Sequence, residues 1–141
     1  MYLPQPLKEG VLGVRKVKAT ELEKAVLGNM LADPQLKAAK SAVNFDAVNV
    51  TDRELTGVGF LTEFERSKEL KLFDDGFSLR WGKLGARLNA SKLETGYLVY
   101  VDNGYVTTIE GYTYGDEWPD QVENIELYEL KPGMELTTPP S

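Results

Sequence analysis

The stretch YLVYVDNGYVTTIEGYTYGDEWP, from Tyr97 to Pro119, decides the fold. Aromatic and β-branched residues stand on both sides of Asn103-Gly104, a dipeptide that strongly favours a two-residue hairpin turn. The stretch therefore predicts two antiparallel strands, Tyr97 to Val101 and Tyr105 to Tyr114. Glu110 stands inside the second strand, where a charged side chain needs an explanation.

Further strand patterns surround this hairpin. Residues from Leu55 to Phe64 alternate with the period of two that is typical of a strand. The sequence Asp74-Asp75-Gly76 predicts a second tight hairpin turn, between Phe73 and the strand that starts at Phe77. Gly82 predicts a bulge or bend in that strand. Two short strands are also expected, over residues 45–50 and from Ile125 to Leu130.

Two helices are predicted before the strands. Thr20 and Glu23 have the spacing of a capping box, which predicts a helix over about residues 20–32. Asp33-Pro34 then suits the N-cap and first position of a second helix. The buried stripe of that second helix would contain Leu36, Ala39 and Val43.

The order of these elements predicts an α+β fold. An N-terminal helix pair would pack on a mainly antiparallel, meander-like sheet of about five to seven strands. Residues 1–18 include a candidate edge strand, Val11 to Val17, and the proline-rich residues 131–141 are expected to form a loosely held tail. No linker or internal repeat divides the chain, so residues 1–141 are predicted to be a single domain.

The composition excludes several kinds of chemistry. The chain contains no cysteine and no histidine, which removes disulfides, thiolate nucleophiles, the usual general base and the commonest zinc ligand. The short acidic clusters lack the spacing of a calcium loop. The sequence thus favours a non-enzymatic protein without a cofactor or metal. It contains no signal peptide pattern and no long apolar segment, so a cytoplasmic location is expected.

Charge is distributed unevenly along the chain. Residues 93–141 contain one cation, Lys131, and ten acidic residues, whereas residues 1–92 contain 15 Lys and Arg against 12 Asp and Glu. An acidic surface repels phosphates, which argues against nucleic-acid binding there. Two interpretations are open: a solvated acidic face that keeps the protein soluble, and a surface that attracts a basic partner.

The position of Glu110 depends on the hairpin register. A two-residue turn pairs Val101 with Val106 and places Glu110 opposite Tyr97. A three-residue loop places Glu110 opposite Gly96 and across from Leu98, on the other face. In both cases Glu110 is expected to be partly buried, with a hydrogen-bonding partner such as Arg or Tyr.

Gly57 and Gly59 are candidates for a pocket. In one continuous strand they would share a face and leave a strip without side chains, which invites close approach by another group. One interpretation is packing by another part of the same molecule. The other is a shallow ligand groove in which Glu63 or Glu110 supplies the acid.

The loop after the second hairpin strand contains Asp116, Glu117 and Trp118. Trp118 is interpreted either as a hydrophobic plug at one end of the sheet or as an interface anchor surrounded by acids, because tryptophan is enriched at binding hot spots. Tyr112 and Tyr114 are additional candidate anchors for a partner.

Two stretches resemble small uncharacterised bacterial proteins. These are Val50 to Thr62, with its Arg-Glu-x-Thr-Gly-x-Gly-Phe pattern, and the hairpin from Asp102 to Tyr112 together with Trp118-Pro119. The chain differs from the related pattern in having Asn-Gly at the turn and isoleucine at Ile109. Similar hairpins occur in immunity proteins of polymorphic bacterial toxin systems, which neutralise a toxin by binding it.

The resemblance implies a non-enzymatic module that binds another protein, as an immunity-type inhibitor does. The charge distribution adds the expectation of a basic partner that meets the acidic C-terminal surface. A small-ligand-binding protein or enzyme with a carboxylate-containing pocket near Gly57 and Gly59 is the alternative. A homodimer formed through an edge strand is a third class.

Overall fold

The computed structural model describes residues 17–36 and 43–130. This part of the chain forms one α-helix and seven β-strands. The helix, α1, spans Glu21–Leu31. The strands are β1 (Val17–Lys18), β2 (Asn49–Leu55), β3 (Gly59–Phe64), β4 (Leu79–Leu88), β5 (Leu93–Asp102), β6 (Tyr105–Thr113) and β7 (Ile125–Glu129).

The seven strands form one antiparallel sheet in the order β1-β2-β3-β6-β5-β4-β7. Side chains alternate between its two faces. On one face, called the helix face, α1 packs against buried residues such as Phe60, Val99 and Ile109. The opposite face, called the open face, bears Leu61, Leu98 and Glu110, which are half-buried.

The predicted α+β class and mainly antiparallel sheet are confirmed, but the predicted helix pair is not. Within the described ranges α1 is the only α-helix, and residues 33–36 form a turn. The N–H of Leu36 donates to the Asp33 carbonyl (3.0 Å), which closes this turn. One Asp33 carboxylate oxygen accepts from the N–H of Gln35, as an N-cap would, while the other accepts from the Trp81 indole N–H (2.8 Å). Residues 37–42, where the second helix was predicted to continue, lie outside the described residues.

The capping box predicted at the start of α1 is present. The N–H of Glu23 donates to the Thr20 hydroxyl (3.1 Å), and the N–H of Thr20 donates to the Glu23 carboxylate (2.9 Å). This arrangement satisfies two backbone donors that the first helical turn leaves without partners. It also directs the Glu23 side chain back toward the sheet.

The single strand predicted from Leu55 to Phe64 is wrong. The chain turns back at Gly57, whose φ of +91° suits a glycine, so that β2 and β3 form a hairpin. Gly57 and Gly59 therefore do not share one face of one strand. Gly59 lies in β3, and a Cβ there would be 2.0 Å from the carbonyl oxygen of Gly111. The close approach expected at this glycine comes from the neighbouring backbone.

The hairpin predicted at Asp74-Asp75-Gly76 is also wrong. These residues form a turn, but Phe73 lies outside the strands, and β4 begins at Leu79 and pairs with β5 and β7. The turn instead packs against another one, because the N–H of Gly104 donates to the Phe77 carbonyl (2.8 Å). The bulge expected near Gly82 is present as a register shift between Trp81 and Leu84.

The two edge strands of the sheet can be compared with the predicted ones. Val17–Lys18 forms an edge strand beside β2, while the remainder of the predicted strand from Val11 lies outside the described residues. The strand predicted from Ile125 is confirmed as β7 at the opposite edge. The strand predicted over residues 45–50 is a 3-10 turn at Phe45–Ala47 followed by the start of β2. The tail at residues 131–141 is outside the described part of the chain.

The Asn103-Gly104 turn has the predicted two-residue form, with Val101 opposite Val106. A bulge then shifts the register between Tyr100 and Val101, so that Glu110 lies opposite Leu98. The pairing of Glu110 with Tyr97 is therefore wrong, and so is its pairing with Gly96. The extra residue in β6 moves Glu110 to the open face.

Candidate functional site

Part of the helix face is not covered by α1 and forms a groove. The groove lies between the N-terminus of α1, the tip of the β2–β3 hairpin and the segment from Trp118 to Ile125, and its volume is about 800 Å³. Its apolar lining consists of Leu22, Leu55, Phe60, Trp118, Val122 and Ile125. A cavity of this size lies within the range of small-molecule sites, and its open side also admits a chain segment.

Trp118 is placed in the groove by the loop that follows β6. At Gly115 the backbone has a φ of +111°, which favours glycine, and the Thr113 hydroxyl donates to the Asp116 carbonyl. The N–H of Trp118 then donates to the Gly57 carbonyl (2.9 Å). The loop thus crosses the end of the sheet and is tied to the β2–β3 turn.

The Trp118 ring packs against the core rather than standing free. Its centroid lies 5.1 Å from that of Phe60 and 6.5 Å from that of Tyr97, and both pairs are close to perpendicular. Edge-to-face pairs of this kind are favourable beyond their buried area. Trp118 is half-buried, so one part of it packs on the sheet while another part faces the groove.

A buried ion pair lies on the wall of the groove. The Glu23 side chain is 2% exposed, and the Arg53 guanidinium donates to both of its oxygens, from Nη2 (2.7 Å) and Nε (2.9 Å). The Thr62 hydroxyl also donates to Glu23, at 2.6 Å. With the N–H of Thr20, the carboxylate accepts four hydrogen bonds and is fully satisfied. Glu23 is therefore a structural acid, while Arg53 remains partly accessible from the groove.

Acidic side chains surround the Trp118 segment. The acidic rim is defined by four exposed carboxylates, those of Asp116, Glu117, Asp120 and Glu123. None of the four forms an ion pair within residues 17–36 and 43–130. Asp120 itself lines the groove. The segment that supplies Trp118 and Asp120 to the groove is therefore strongly acidic.

Asn89 holds the far end of the acidic rim. It has a φ of +66°, and its side-chain oxygen accepts from the N–H groups of Glu123 (2.7 Å) and Asn124 (3.2 Å). Its side-chain nitrogen donates to the Gln121 carbonyl (2.9 Å). Asparagine tolerates this left-handed conformation better than most residues. The rim is thus anchored to the turn between β4 and β5.

No family model, curated protein or solved structure matches this chain.

The structure separates the residues predicted for partner binding. Trp118 lines the groove and directly follows Asp116 and Glu117, whereas Tyr112 and Tyr114 lie on the open face with Glu110. Trp118 and the two tyrosines therefore lie on opposite sides of the sheet.

The residues predicted for a pocket are separated too. Gly57 lines the groove, Gly59 is packed under the β6 backbone, and Glu63 is exposed on the open face. Glu110 accepts a hydrogen bond from the Tyr100 hydroxyl (3.0 Å), so a tyrosine is the partner that its partial burial predicted. The carboxylates that line the groove with Gly57 are those of Glu21, Glu23 and Asp120.

Sequence analysis did not identify Arg53, Leu55 or Val122 as groove residues. Their signal is weak, because Arg53 and Leu55 lie in β2 and Val122 lies in the loop before β7, and only the folded chain brings these segments together. The one local clue was the capping box, whose Glu23 belongs to the first turn of an amphipathic helix.

Among the described residues, no group of three or more acidic side chains is arranged to hold a metal ion. In the same part of the chain, no helix has the length and apolar character needed to cross a membrane.

Proposed function

We propose that this protein binds another protein and that the groove receives a segment of the partner with both apolar and basic side chains. The observation that carries the proposal is the combination at Trp118: an apolar groove lined by Asp120, beside a segment whose four exposed carboxylates form no ion pair with the described residues. Apolar side chains of the partner would bury against Leu55, Phe60 and Val122. Basic side chains would approach Asp120 and its neighbours on the rim.

The two parts of this surface have different roles. Burial of apolar area supplies most of the affinity in a pocket that excludes water. The exposed carboxylates accelerate the encounter with a basic partner and make the association rate sensitive to salt. An inhibitor of the immunity type, which covers a basic toxin, is the form of this function that the resemblance supports. No catalytic role and no cofactor are part of the proposal, and its cytoplasmic location can be checked by fractionating host cells.

Cross-linking in host cells tests the proposal. The photoreactive residue benzoyl-phenylalanine replaces Leu55, which is 71% exposed at the groove, or Phe77, which is exposed in the turn near Gly104 at the other end of the sheet. The proposal expects one protein to be cross-linked through position 55 and not through position 77. Labelling of the same proteins from both positions, or of none, would count against the groove.

The cross-linked protein must then bind in purified form. Isothermal titration with Leu55→Ser is informative, because this exposed side chain contributes little to folding while a groove-bound partner would contact it. The affinity is expected to fall by about tenfold, since losing a buried leucine contact costs roughly 1–2 kcal/mol. An unchanged affinity would place the partner elsewhere on the protein.

A small apolar ligand is the second candidate for the groove. Its favourable observation is the volume of about 800 Å³, with the Arg53 guanidinium on the wall. Native mass spectrometry of protein purified from host cells would reveal a bound molecule by its added mass. If Val122→Trp, which fills the groove, removes that mass without unfolding the protein, the small-ligand interpretation replaces the protein-binding one.

A further inference from the structure

The open face contains a second cluster, separate from the groove, which we call the aromatic corner. It consists of Glu110, Tyr112 and Tyr114, which alternate along β6 and the residue after it. All three side chains point away from α1, as the pairing of Glu110 with Leu61 and Leu98 requires. The cluster is thus independent of the groove and of the function proposed for it.

The two rings form a corner. Their centroids are 5.6 Å apart and their planes are 85° apart. Both cross-strand neighbours of Tyr112 are glycines, Gly59 and Gly96, and the hydroxyl end of the ring lies over Gly96, where a Cβ would be 2.5 Å away. The Tyr112 ring can therefore lean toward the sheet and turn one face outward. Tyr114 stands beside it with 58% of its surface exposed.

The Glu110 carboxylate adds a negative charge to this corner. It is half-buried, and in the described part of the chain it forms no ion pair. Its hydrogen-bond donor is the neutral Tyr100 hydroxyl, which in turn interacts with Arg80 on the side away from the corner. A cation that reached the corner would meet a carboxylate and two electron-rich ring faces.

Two other tyrosines on the same sheet show that a ring beside a carboxylate binds a cation. The Arg87 guanidinium lies 4.5 Å from the centroid of the Tyr128 ring and pairs with Glu94 (2.9 Å). Arg66 and Lys71 lie over the Tyr105 ring at 5.3 and 5.4 Å. In both places a ring and a carboxylate share a cation from the chain itself. Within the described residues, the aromatic corner receives no such cation.

The phenols of Tyr112 and of the neighbouring Tyr100 stay neutral over the physiological range. Burial, followed by the neighbouring Tyr114 hydroxyl and the charge of Glu110, raises the pKa of Tyr112 to about 12. Burial and the Glu110 carboxylate also raise the pKa of Tyr100. The corner therefore presents two aromatic rings beside one carboxylate, a combination that suits a weakly hydrated cation.

We propose that Glu110, Tyr112 and Tyr114 form a binding site for an alkylammonium group, and that a methylated ammonium is preferred. Methylation spreads the positive charge over a larger, less hydrated surface that packs against ring faces, as in aromatic cages for quaternary ammonium ligands. The shared chemistry is the cationic nitrogen. It can belong to a small molecule such as choline or to a methylated lysine side chain.

Titration followed by amide NMR tests this site in the whole protein. Choline chloride is added to one sample and an equal concentration of sodium chloride to another, while a third receives 3,3-dimethyl-1-butanol, which has the shape of choline without its charge. Saturable shifts at Glu110, Tyr112 and Leu98 with choline alone are the expected result. Equal shifts with the neutral alcohol, or none with choline, would overturn the proposal.

Single substitutions measure the contributions of the carboxylate and of the rings to choline binding separately. Glu110→Gln keeps an acceptor for the Tyr100 hydroxyl and is expected to weaken choline binding by about tenfold, whereas Glu63→Gln removes an exposed carboxylate of the same face and should leave it unchanged. Tyr114→Leu, a change at an exposed side chain, is expected to weaken it by about fivefold and provides the test if Glu110→Gln does not fold. Equal binding by wild type and Glu110→Gln would contradict the site.

A last comparison tests the preference for a methylated nitrogen. N-acetyl-trimethyllysine amide and N-acetyl-lysine amide are titrated alongside choline. Binding of all methylated compounds but weaker binding of lysine supports a general methylammonium site. Tighter binding of lysine than of either methylated compound would overturn the stated preference.

Discussion

Arg53 and Glu23 join the second strand to the first turn of the helix through two hydrogen bonds, at 2.7 and 2.9 Å. The pair fixes where α1 starts over the sheet, and therefore how wide the groove is. Buried ion pairs are weak sources of net stability, but losing one partner leaves an uncompensated buried charge.

The first prediction follows from this difference between the small net value of the pair and the large cost of removing one partner. Arg53→Met should lower the free energy of unfolding by about 3 kcal/mol, because Glu23 then remains buried without its cation. The double variant Arg53→Met with Glu23→Leu should recover most of this loss, since no charge is left buried. Urea denaturation of both variants and the wild type measures the difference. A double variant that is less stable than Arg53→Met alone would contradict this account of the pair.

A second prediction compares two glycines with similar backbone conformations. Gly104 has a φ of +85°, and a Cβ there would be 2.5 Å from the Phe73 carbonyl oxygen, whereas Gly57 has a φ of +91° with open space around it. Gly57→Ala should therefore cost only the backbone strain, about 1 kcal/mol. Gly104→Ala should cost at least about 2 kcal/mol, because a packed backbone must also shift. Thermal unfolding distinguishes them, and equal losses would mean that the turn at Gly104 is not held as described.

A third prediction concerns pH and Asp33. Burial acts to raise the pKa of this carboxyl, but hydrogen bonds from the Trp81 indole, the Gln35 N–H and the Lys83 ammonium outweigh it, so the pKa lies below its ordinary value of 3.8. The ionised carboxylate therefore stabilises the fold above the unfolded pKa, and this stabilisation is lost as the pH falls through the folded pKa.

The variant Asp33→Asn tests the direction of this pH dependence. It should be less stable than the wild type by about 1–2 kcal/mol at pH 7, and the difference should shrink below about pH 4. Urea denaturation at pH 7, 5 and 3 supplies the comparison. A difference that grows on acidification would show that Asp33 is not held as an ion. Asp74→Asn, a change at an exposed turn residue, is the control.

A fourth prediction concerns Trp118. Because its ring packs on Phe60 and Tyr97, Trp118→Ala should destabilise the protein by about 2–3 kcal/mol, less than a fully buried tryptophan would. Leu55→Ala should change stability by less than about 0.5 kcal/mol, since its side chain is mostly exposed. Chemical denaturation measures both. If Trp118→Ala is neutral, the loop does not pack as described and Trp118 is free to act as an exposed anchor.

Local signals in the sequence predicted the elements that depend on them. The capping box identified the start of α1, and Asn103-Gly104 identified the β5–β6 hairpin, because both patterns act through neighbouring residues. The β2–β3 turn was missed because the residues around Gly57 alternate with a period of two through the turn itself. The second helix was predicted from Asp33-Pro34 and the stripe of Leu36, Ala39 and Val43. Neither pattern shows that the Asp33 side chain also accepts a hydrogen bond from the Trp81 indole.

The candidate sites were harder to predict than the hairpins. The bulge opposite Tyr100 and Val101 adds one residue to β6 and moves Glu110 to the open face. No residue type in the sequence predicts such an extra residue. The groove brings Leu22, Leu55 and Val122 together from distant parts of the chain, so no spacing in the sequence indicates it.

The central claim is that the acidic rim directs a basic partner into the groove. Its most direct test is titration of the cross-linked partner, in purified form, with Asp120→Lys and with Glu63→Lys at low and at physiological salt. Both variants make the same charge change, but Asp120 lines the groove while Glu63 lies on the open face. The account predicts that Asp120→Lys slows association by about tenfold and reduces its salt dependence, while Glu63→Lys does neither. Equal effects of the two variants would contradict it, because only the net charge of the protein would then matter.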